Sequence, residues 1–367
     1  MEIKVTKAAL LDALKKAQKV VSSKAAVPVL QNVLIEAQDG KVVATCSDLT
    51  RTIVATTTCE VIEEGRTTLP AKMLSSVISA AGDGQIEIKV NEKDRAVIKS
   101  GQAKFTLNGL PATEFPKLPK VSGEPIELPS AKLKEMLRYV KYAASQDETR
   151  ATIRSVLLDF KDSAVSAVAT DGRRLAKFDA TLEAKVADSQ WVIPIASVAD
   201  IYDNLASEGN VAITIATSQM VVDFGTVKVY TKMLEDAYPN YRQVIPSSFG
   251  TKVVVSRDEL LSAIGRVSVF ANDGAASTVT FNFSAGELVL SASTIDVGES
   301  RDSIAIKYDS EKAIEIRFNP VYVNEAISAM EDDELAIYLN DGHSPCKISR
   351  VDTDDFTYVL MPLRVNS

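Results

Sequence analysis

A single histidine, His343, is the scarcest feature of this 367-residue chain, and its scarcity removes whole classes of chemistry. A His-rich metal site cannot be built, and a Ser/His/Asp or Cys/His arrangement has one imidazole to draw on. The three cysteines, Cys46, Cys59 and Cys346, are odd in number and show no C-x-x-C spacing. They predict reduced, partly buried thiols rather than a disulfide framework or a zinc site. No stretch approaches the roughly 18 apolar residues of a membrane span. The opening MEIKVTKAALLDALKKAQKVV lacks both an uninterrupted apolar core and a small-residue cleavage site, so a cytoplasmic chain is expected. Walker A, strand-associated G-x-G-x-x-G and G-x-S-x-G patterns are missing, and with them the usual signs of nucleotide binding and hydrolase chemistry. The acidic runs Glu331 to Glu334 and Asp352 to Asp355 read as solvated loop ends before they read as cation ligands. His343, in NDGHSP, reads as a turn residue. No catalytic residue, metal site or cofactor is expected.

What is present is an ordinary globular composition, 46% apolar and 25% charged, long enough for two or three domains. Self-similarity organises it. VTKAALLDALKKA has counterparts in LPSAKLKEMLRYV and VSRDELLSAIGRV, each a strand ending, a capping-type residue (Thr6, Ser130, Ser256) and apolar residues at helical spacing. Leu10 and Leu133 stand 123 positions apart, and Leu133 and Leu260 stand 127 apart. After each helix comes an alternating hairpin: VLIEAQDGKVVAT, VLLDFKDSAVSAVAT and VTFNFSAGELVLSAS. A second short helix opens at Pro70, Pro194 and Pro320, since proline suits a first helical turn. Further strands follow, and each copy closes on a proline, at Phe115-Pro116, Tyr238-Pro239 and Met361-Pro362. The pattern predicts an α+β fold of three repeated domains, 1–122, 123–250 and 251–367, joined by short polar stretches rather than flexible linkers.

The net charge of −8 argues, taken alone, against nucleic-acid binding, because phosphates demand clustered Lys and Arg. Its distribution argues otherwise. The six predicted helices sum to +4 and the remainder to −12. On the first helix Leu10, Leu14, Ala17 and Val21 share one face while Lys15, Lys16 and Lys19 lie opposite; on the third, Lys134, Arg138 and Lys141 flank Leu133, Leu137 and Val140. Lys-rich solvent faces are common, yet electropositive helices beside acidic strands suit a protein that touches DNA with one side only. Lys15, Lys19, Arg138 and Lys141 are the candidates from this pattern. A carboxylate-based hydrolase has no motif behind it, and the basic stripes count against a repeated scaffold that never meets nucleic acid.

PVLQNVLIEA (Pro28 to Ala37), ATDGRRLA (Ala169 to Ala176), YPNYRQVIP (Tyr238 to Pro246), FNPVYV (Phe318 to Val323) and YVLMPLR (Tyr358 to Arg364) occur in that order on the threefold repeat. With them the whole chain resembles the β sliding clamps of bacterial DNA polymerase III. The resemblance implies inner helices and outer antiparallel sheets, with strand edges paired across domain and subunit boundaries in a head-to-tail dimeric ring around duplex DNA. It implies a non-catalytic processivity factor that serves the replicative polymerase, the clamp loader and other proteins carrying a clamp-binding motif. Lys24, Lys72, Gln146 and Arg150 match DNA-contact positions of the family, with Ala151 and Thr152 smaller than some relatives carry.

Partners of the family insert a short apolar peptide between the second and third domains. The matching positions are Ile153, Thr170, Gly172, Arg173, Arg174, Leu175, Pro239, Gln243, Val244, Asn319, Tyr322, His343, Val359, Met361, Pro362, Leu363 and Arg364. Gln243 replaces a cation found in many relatives, His343 and Pro345 occupy a variable turn, and Val365, Asn366 and Ser367 extend past the usual end. The implied subunit interface sets Phe105 and Leu107, with Lys99 and Lys104, against Val269 and Phe270, with Glu299 and Asp302.

Overall fold

The computed structural model describes residues 1–22, 25, 27–182, 186–271, 277–294, 296–308, 310 and 312–363. Lys24 and Arg364 lie outside them. Among the described residues there are six α-helices: α1 Lys7–Ala17, α2 Ala71–Ala80, α3 Ser130–Val140, α4 Ile195–Asn204, α5 Arg257–Val267 and α6 Pro320–Ala329. Each of α1, α3 and α5 runs into a three-residue 3-10 turn, at Gln18–Val20, Lys141–Ala143 and Ser268–Phe270. The apolar stripe of α1 buries Leu10, Ala13, Leu14 and Ala17, and that of α5 buries Leu260, Ala263, Ile264 and Val267. These faces pack on α2 and α6 respectively. Full burial of each leucine or isoleucine is worth roughly 1.5 to 3 kcal/mol.

Of the three expected caps only Ser256 acts as one, accepting from the Glu259 amide. The Thr6 side chain caps nothing, and the Ser130 hydroxyl donates instead to the Ala206 carbonyl. All three N-termini share another device. The first helical amide of α1, α3 and α5 already donates to a distant carbonyl: Lys7 N to Gly84 O (2.9 Å), Ser130 N to Gly209 O (2.9 Å) and Arg257 N to Asp333 O (2.8 Å). Part of the capping work at these N-termini is therefore done by tertiary main-chain bonds.

The chain falls into two compact units, Met1–Ala131 with Ala199–Met233, and Lys132–Val198 with Leu234–Ser367. The first holds a five-stranded sheet in the order Glu60–Glu63, Glu2–Thr6, Gln85–Val90, Arg95–Ser100, Ala103–Asn108. It also holds an eight-stranded sheet, Ile126–Pro129, Asn210–Ala216, Gln219–Asp223, Val227–Lys232, Arg51–Thr58, Lys41–Ser47, Asn32–Gln38, Gly65–Pro70. The second holds a twelve-stranded sheet: Ser189–Pro194, Ser155–Lys161, Ala164–Thr170, Arg174–Thr181, Phe356–Leu360, Cys346–Arg350, Glu334–Leu339, Thr251–Ser256, Gly298–Tyr308, Glu287–Thr294, Val279–Ser284, Ile314–Phe318. The registered pairs are antiparallel. In the eight-stranded sheet, strands of the first and second repeats join where Val227 to Thr231 pair with Ala55 to Arg51. In the twelve-stranded sheet, the second and third repeats join where Arg174 to Phe178 pair with Leu360 to Phe356. The middle repeat thus gives one set of strands to each unit.

A turn recurs just before each joint. Asp48 Oδ1 accepts from the Thr50 and Arg51 amides (2.9 and 2.7 Å), its Oδ2 holds the Arg51 guanidinium, and Arg51 Nη1 reaches Asp200 of α4 at 2.8 Å. In the second unit, 123 positions later, Asp171 Oδ1 accepts from the Arg173 and Arg174 amides (2.8 and 3.0 Å), its Oδ2 takes Arg174 Nε at 3.1 Å, and Arg174 Nη1 reaches Glu325 of α6. Both turns need a left-handed residue, Leu49 at φ +74° in one and Gly172 at φ +89° in the other. That conformation costs a side-chain-bearing residue about 1 to 2 kcal/mol, and Leu49, 64% exposed, recovers little by burial. Leu49→Gly is expected to leave stability to urea unchanged or raised by up to about 1 kcal/mol, while Gly172→Leu lowers it by about 1 to 2 kcal/mol. A large loss from Leu49→Gly would show that its side chain is held.

Candidate functional site

Apart from Arg364, the expected peptide-pocket positions fall in the second unit, and several flank the joint between Arg174–Thr181 and Phe356–Leu360. Leu175 lies opposite Val359 across the joint. Both are buried in a cluster with Leu157, Val168, Val192, Tyr238 and Tyr241, against which Leu234 and Ile245 pack. Leu175 and Val359 are therefore floor, not open wall. Exposed apolar surface comes from their neighbours: Val244, at the end of the 3-10 turn Tyr241–Val244, is 53% exposed and Met361 is 48% exposed. Met361 N donates to Arg173 O at 3.0 Å and Leu363 N to Arg317 O at 2.8 Å, so the segment after the last strand, with Pro362 half-buried within it, stays tied to the sheet.

Arg174 organises the polar side. It is buried, with its guanidinium on Asp171 and Glu325, donating to Tyr142 O at 2.7 Å and lying 4.2 Å over the Tyr322 ring. Burial works against its charge, but the Glu325 and Asp171 carboxylates outweigh that and raise its pKa. Tyr358 Oη donates to Tyr322 O at 2.9 Å, and burial pushes this phenol and that of Tyr142 upward, so both stay protonated. Thr170 Oγ1 donates to Arg174 O at 2.6 Å and accepts from the Gly172 amide at 3.1 Å. Asn319 Oδ1 caps α6 by accepting from Val321 N at 2.9 Å. Beside this network lies a cavity of about 300 Å³ whose lining includes Gln146, Arg150, Asp171, Arg173, Arg174 and Tyr322. Ile153 is buried nearby in sequence, its carbonyl accepting from Ser145 N at 2.9 Å. Pro239 and Gln243 are exposed. His343 is exposed too, in a turn whose Asp341 carboxylate accepts from its amide (2.8 Å) and that of Ser344 (2.6 Å), which holds the Asp341 pKa down. Among the described residues, the hydrogen bond that fixes His343 runs from its own amide to Asp341 and not to another pocket candidate. Sequence reasoning missed the supports, Asp171, Tyr142, Glu325 and Tyr358. The repetition of Asp48 and Arg51 at Asp171 and Arg174 was the available signal.

The basic candidates divide between the units. In the first, Lys15 is exposed on α1, Lys72 is exposed in the first turn of α2, and Lys19 is exposed but paired with Asp203 at 2.6 Å. Lys16, on the same stripe, pairs with Asp12 at 2.7 Å. In the second, Arg138 is engaged by Glu331 and lies over the Tyr139 ring, Lys141 is half-buried, and Gln146 and Arg150 are exposed, with Arg150 Nη1 donating to Asp171 O at 3.3 Å. Solvent-exposed pairs of this kind are worth about 0 to 1 kcal/mol, so an incoming phosphate can replace the carboxylate. Among the described residues no group of three or more His, Cys, Asp or Glu could hold a metal ion. Instead, Asp332 and Asp355 from the two acidic runs bind Arg350.

Each unit also carries an unfinished strand edge. Among the described residues, Ala103–Asn108 pairs only with Arg95–Ser100; Phe105 and Leu107 are half-buried, Lys99 and Lys104 exposed. In Gly298–Tyr308, residues 298–305 pair with Glu287–Thr294 on one side, and only 306–308 have a second partner, in Thr251–Ser256. Beside it the turn Ser268–Phe270 shows Val269, 75% exposed. That turn is pinned by Thr294 Oγ1 donating to Phe270 O (2.6 Å) and Ser300 Oγ to Val267 O (2.8 Å). A Cβ on Gly298 would come within 2.8 Å of the Phe270 ring, so glycine admits the ring there. Asp302 pairs with Arg266 at 2.6 Å, and Glu299 is exposed.

Family models of the DNA polymerase III beta subunit match the chain three times: the N-terminal domain at 1–119, the central domain at 127–240 and the C-terminal domain at 242–364. The beta sliding clamp of Chlamydia pneumoniae is 31% identical over 369 residues, covering 100% of both chains, and that of Synechocystis is 32% identical, covering 94% of each. Among solved structures, the DNA polymerase sliding clamp of Bacillus subtilis superposes with a TM-score of 0.94 at 26% identity, covering 100% of this chain and 99% of that one. The sliding clamp of Bartonella birtlesii, solved bound to griselimycin, does so with a TM-score of 0.94 at 31% identity over 100% of both. Three matched domains in order and full-length identity above 30% establish that this chain belongs to the DNA polymerase III beta subunit family, the bacterial sliding clamps.

Proposed function

We propose that two copies of this chain, each of three domains bounded at 1–122, 123–250 and 251–367, close head to tail into a ring around duplex DNA. The ring is a non-catalytic processivity factor of the cytoplasm that tethers the replicative polymerase and, in turn, the clamp loader and other DNA-handling proteins. The observation that carries this reading is the recurrence of one joint. Neighbouring repeats meet edge to edge within each unit, and among the described residues Ala103–Asn108 in the first repeat and residues 298–305 in the third have a partner strand on one side only. Unpaired edges seek partners, and joining the two closes the series. Phe105 and Leu107 then meet Val269 and Phe270, while Lys99 and Lys104 face Glu299 and Asp302.

Lys15, Lys19, Lys72, Arg138 and Lys141, on helices and the 3-10 turns that follow them, with Gln146 and Arg150 in the loop beyond and Lys24, would meet phosphates, with no helix reading base edges. Contact of that kind positions without specifying and weakens with salt, so the ring slides. Topology, not affinity, then keeps it on DNA. Loaded clamp is expected to stay on closed circular DNA in high salt and to leave once the circle is cut; loss from both at equal rates would contradict encirclement. Reversing the charge of Lys15, Lys19, Arg138 and Lys141 together should abolish weak direct DNA binding, and unchanged binding would remove these residues from the DNA face.

Val244 and Met361, with the Leu175 and Val359 floor, offer partners a peptide site, to which the sequence adds Arg364. Each apolar side chain fully buried there would contribute about 1.5 to 3 kcal/mol before ordering costs. Modest affinity follows, which suits partners that exchange. Deleting Met361 to Ser367 is expected to abolish polymerase stimulation while the ring remains retained on circular DNA. Unchanged affinity of the truncated clamp for the polymerase would contradict this site.

A further inference from the structure

Val244 stands on a turn of four residues, and two hydrogen bonds that fasten this turn to the strands end on one carboxylate. Asp159, within Ser155–Lys161, is 8% exposed. Its Oδ2 accepts from Tyr241 Oη at 2.9 Å and from Arg242 Nη2 at 2.7 Å, and its Oδ1 accepts from Gln190 Nε2 at 3.2 Å. The Arg242 guanidinium lies 4.6 Å over the Tyr241 ring, and that ring belongs to the same buried cluster as Leu175 and Val359. Burial opposes the Asp159 charge, but the hydrogen bonds from Tyr241, Gln190 and Arg242 outweigh it and hold the carboxyl below its ordinary range. An ionised acceptor bonded to a guanidinium and a phenol is a strong fastening. Without it, a ligand would have to order the turn as it bound.

We propose that Asp159, which lines no expected contact, is the positioning residue for the Val244 wall of the peptide pocket: by holding Tyr241 and Arg242 it presents Val244 to an apolar peptide in an already ordered turn. This rests on the pocket reading above and names the residue that sets its preorganisation. Asp159 acts through the turn and touches no ligand.

Griselimycin, the compound bound by the Bartonella birtlesii clamp, serves as the probe, titrated calorimetrically into the full-length protein. Asp159→Asn should weaken binding about 5- to 20-fold, because an unfastened turn must be ordered on binding. Val244→Ala should weaken it about tenfold in the wild-type background but no more than about threefold in the Asp159→Asn background, since an undelivered side chain has less to lose. A purely structural Asp159 would leave the two losses multiplicative. Tyr241→Phe keeps the buried ring and deletes one bond to Asp159; it should weaken binding in the same direction and decides the matter if Asp159→Asn does not fold. Wild-type affinity in both Asp159→Asn and Tyr241→Phe, or losses that multiply independently with that of Val244→Ala, would overturn the proposal alone. Griselimycin affinity untouched by both Val244→Ala and Met361→Ala would overturn the pocket reading and the proposal with it.

Discussion

Main-chain hydrogen bonding between strands of different repeats is the constraint on which the rest of the molecule depends. An edge strand leaves amides and carbonyls open, and a buried one left unmet costs about 1 to 3 kcal/mol. Arg51 to Ala55 find theirs on Thr231 to Val227, and Arg174 to Phe178 on Leu360 to Phe356. Each joint begins at an arginine that an aspartate turn has already fixed and that reaches onto a helix of the next repeat, at Asp200 or Glu325. The peptide site follows from the second joint. Leu175 comes from one side of it and Val359 from the other, so a floor made by two repeats exists only where their strands meet.

The same economy governs charge. Several basic side chains assigned to DNA already hold carboxylates, Lys19 on Asp203 and Arg138 on Glu331. Such weak, exchangeable pairs fit a surface that must release one phosphate as it takes the next. The excess acid of the chain resides outside the helices, which lets a protein of net charge −8 carry a basic face.

The 123-residue period, the hairpins, the six helices and most candidate positions could be read from the sequence, because each rests on local periodicity or on a motif. Long-range partners could not. Nothing local says that the middle repeat divides its strands between two units, since an edge strand's neighbour is set by another repeat. Thr6 and Ser130 look like caps, but their helices are served by the carbonyls of Gly84 and Gly209, far along the chain. Leu175 and Val244 are both aliphatic positions of the proposed pocket, yet one is sealed in the core and the other open to solvent, a difference that strand pairing decides. Asp159 reads as the polar member of an alternating strand; that it gathers Tyr241, Arg242 and Gln190 becomes visible only when the turn is seen folded over it.

A joint of the kind formed twice within the chain would, if made a third time between subunits, pair the edges of Ala103–Asn108 and of residues 298–305. Amide hydrogen exchange measures this most directly, comparing the wild-type protein with Phe270→Asp at equal concentration. Outward-pointing amides of Ala103–Asn108 and of residues 298–303 are expected to exchange slowly in the wild type and fast in the variant, while Arg51 to Ala55 and Arg174 to Phe178 remain protected in both. Equally fast exchange of the two edge strands in wild-type and variant protein would contradict it.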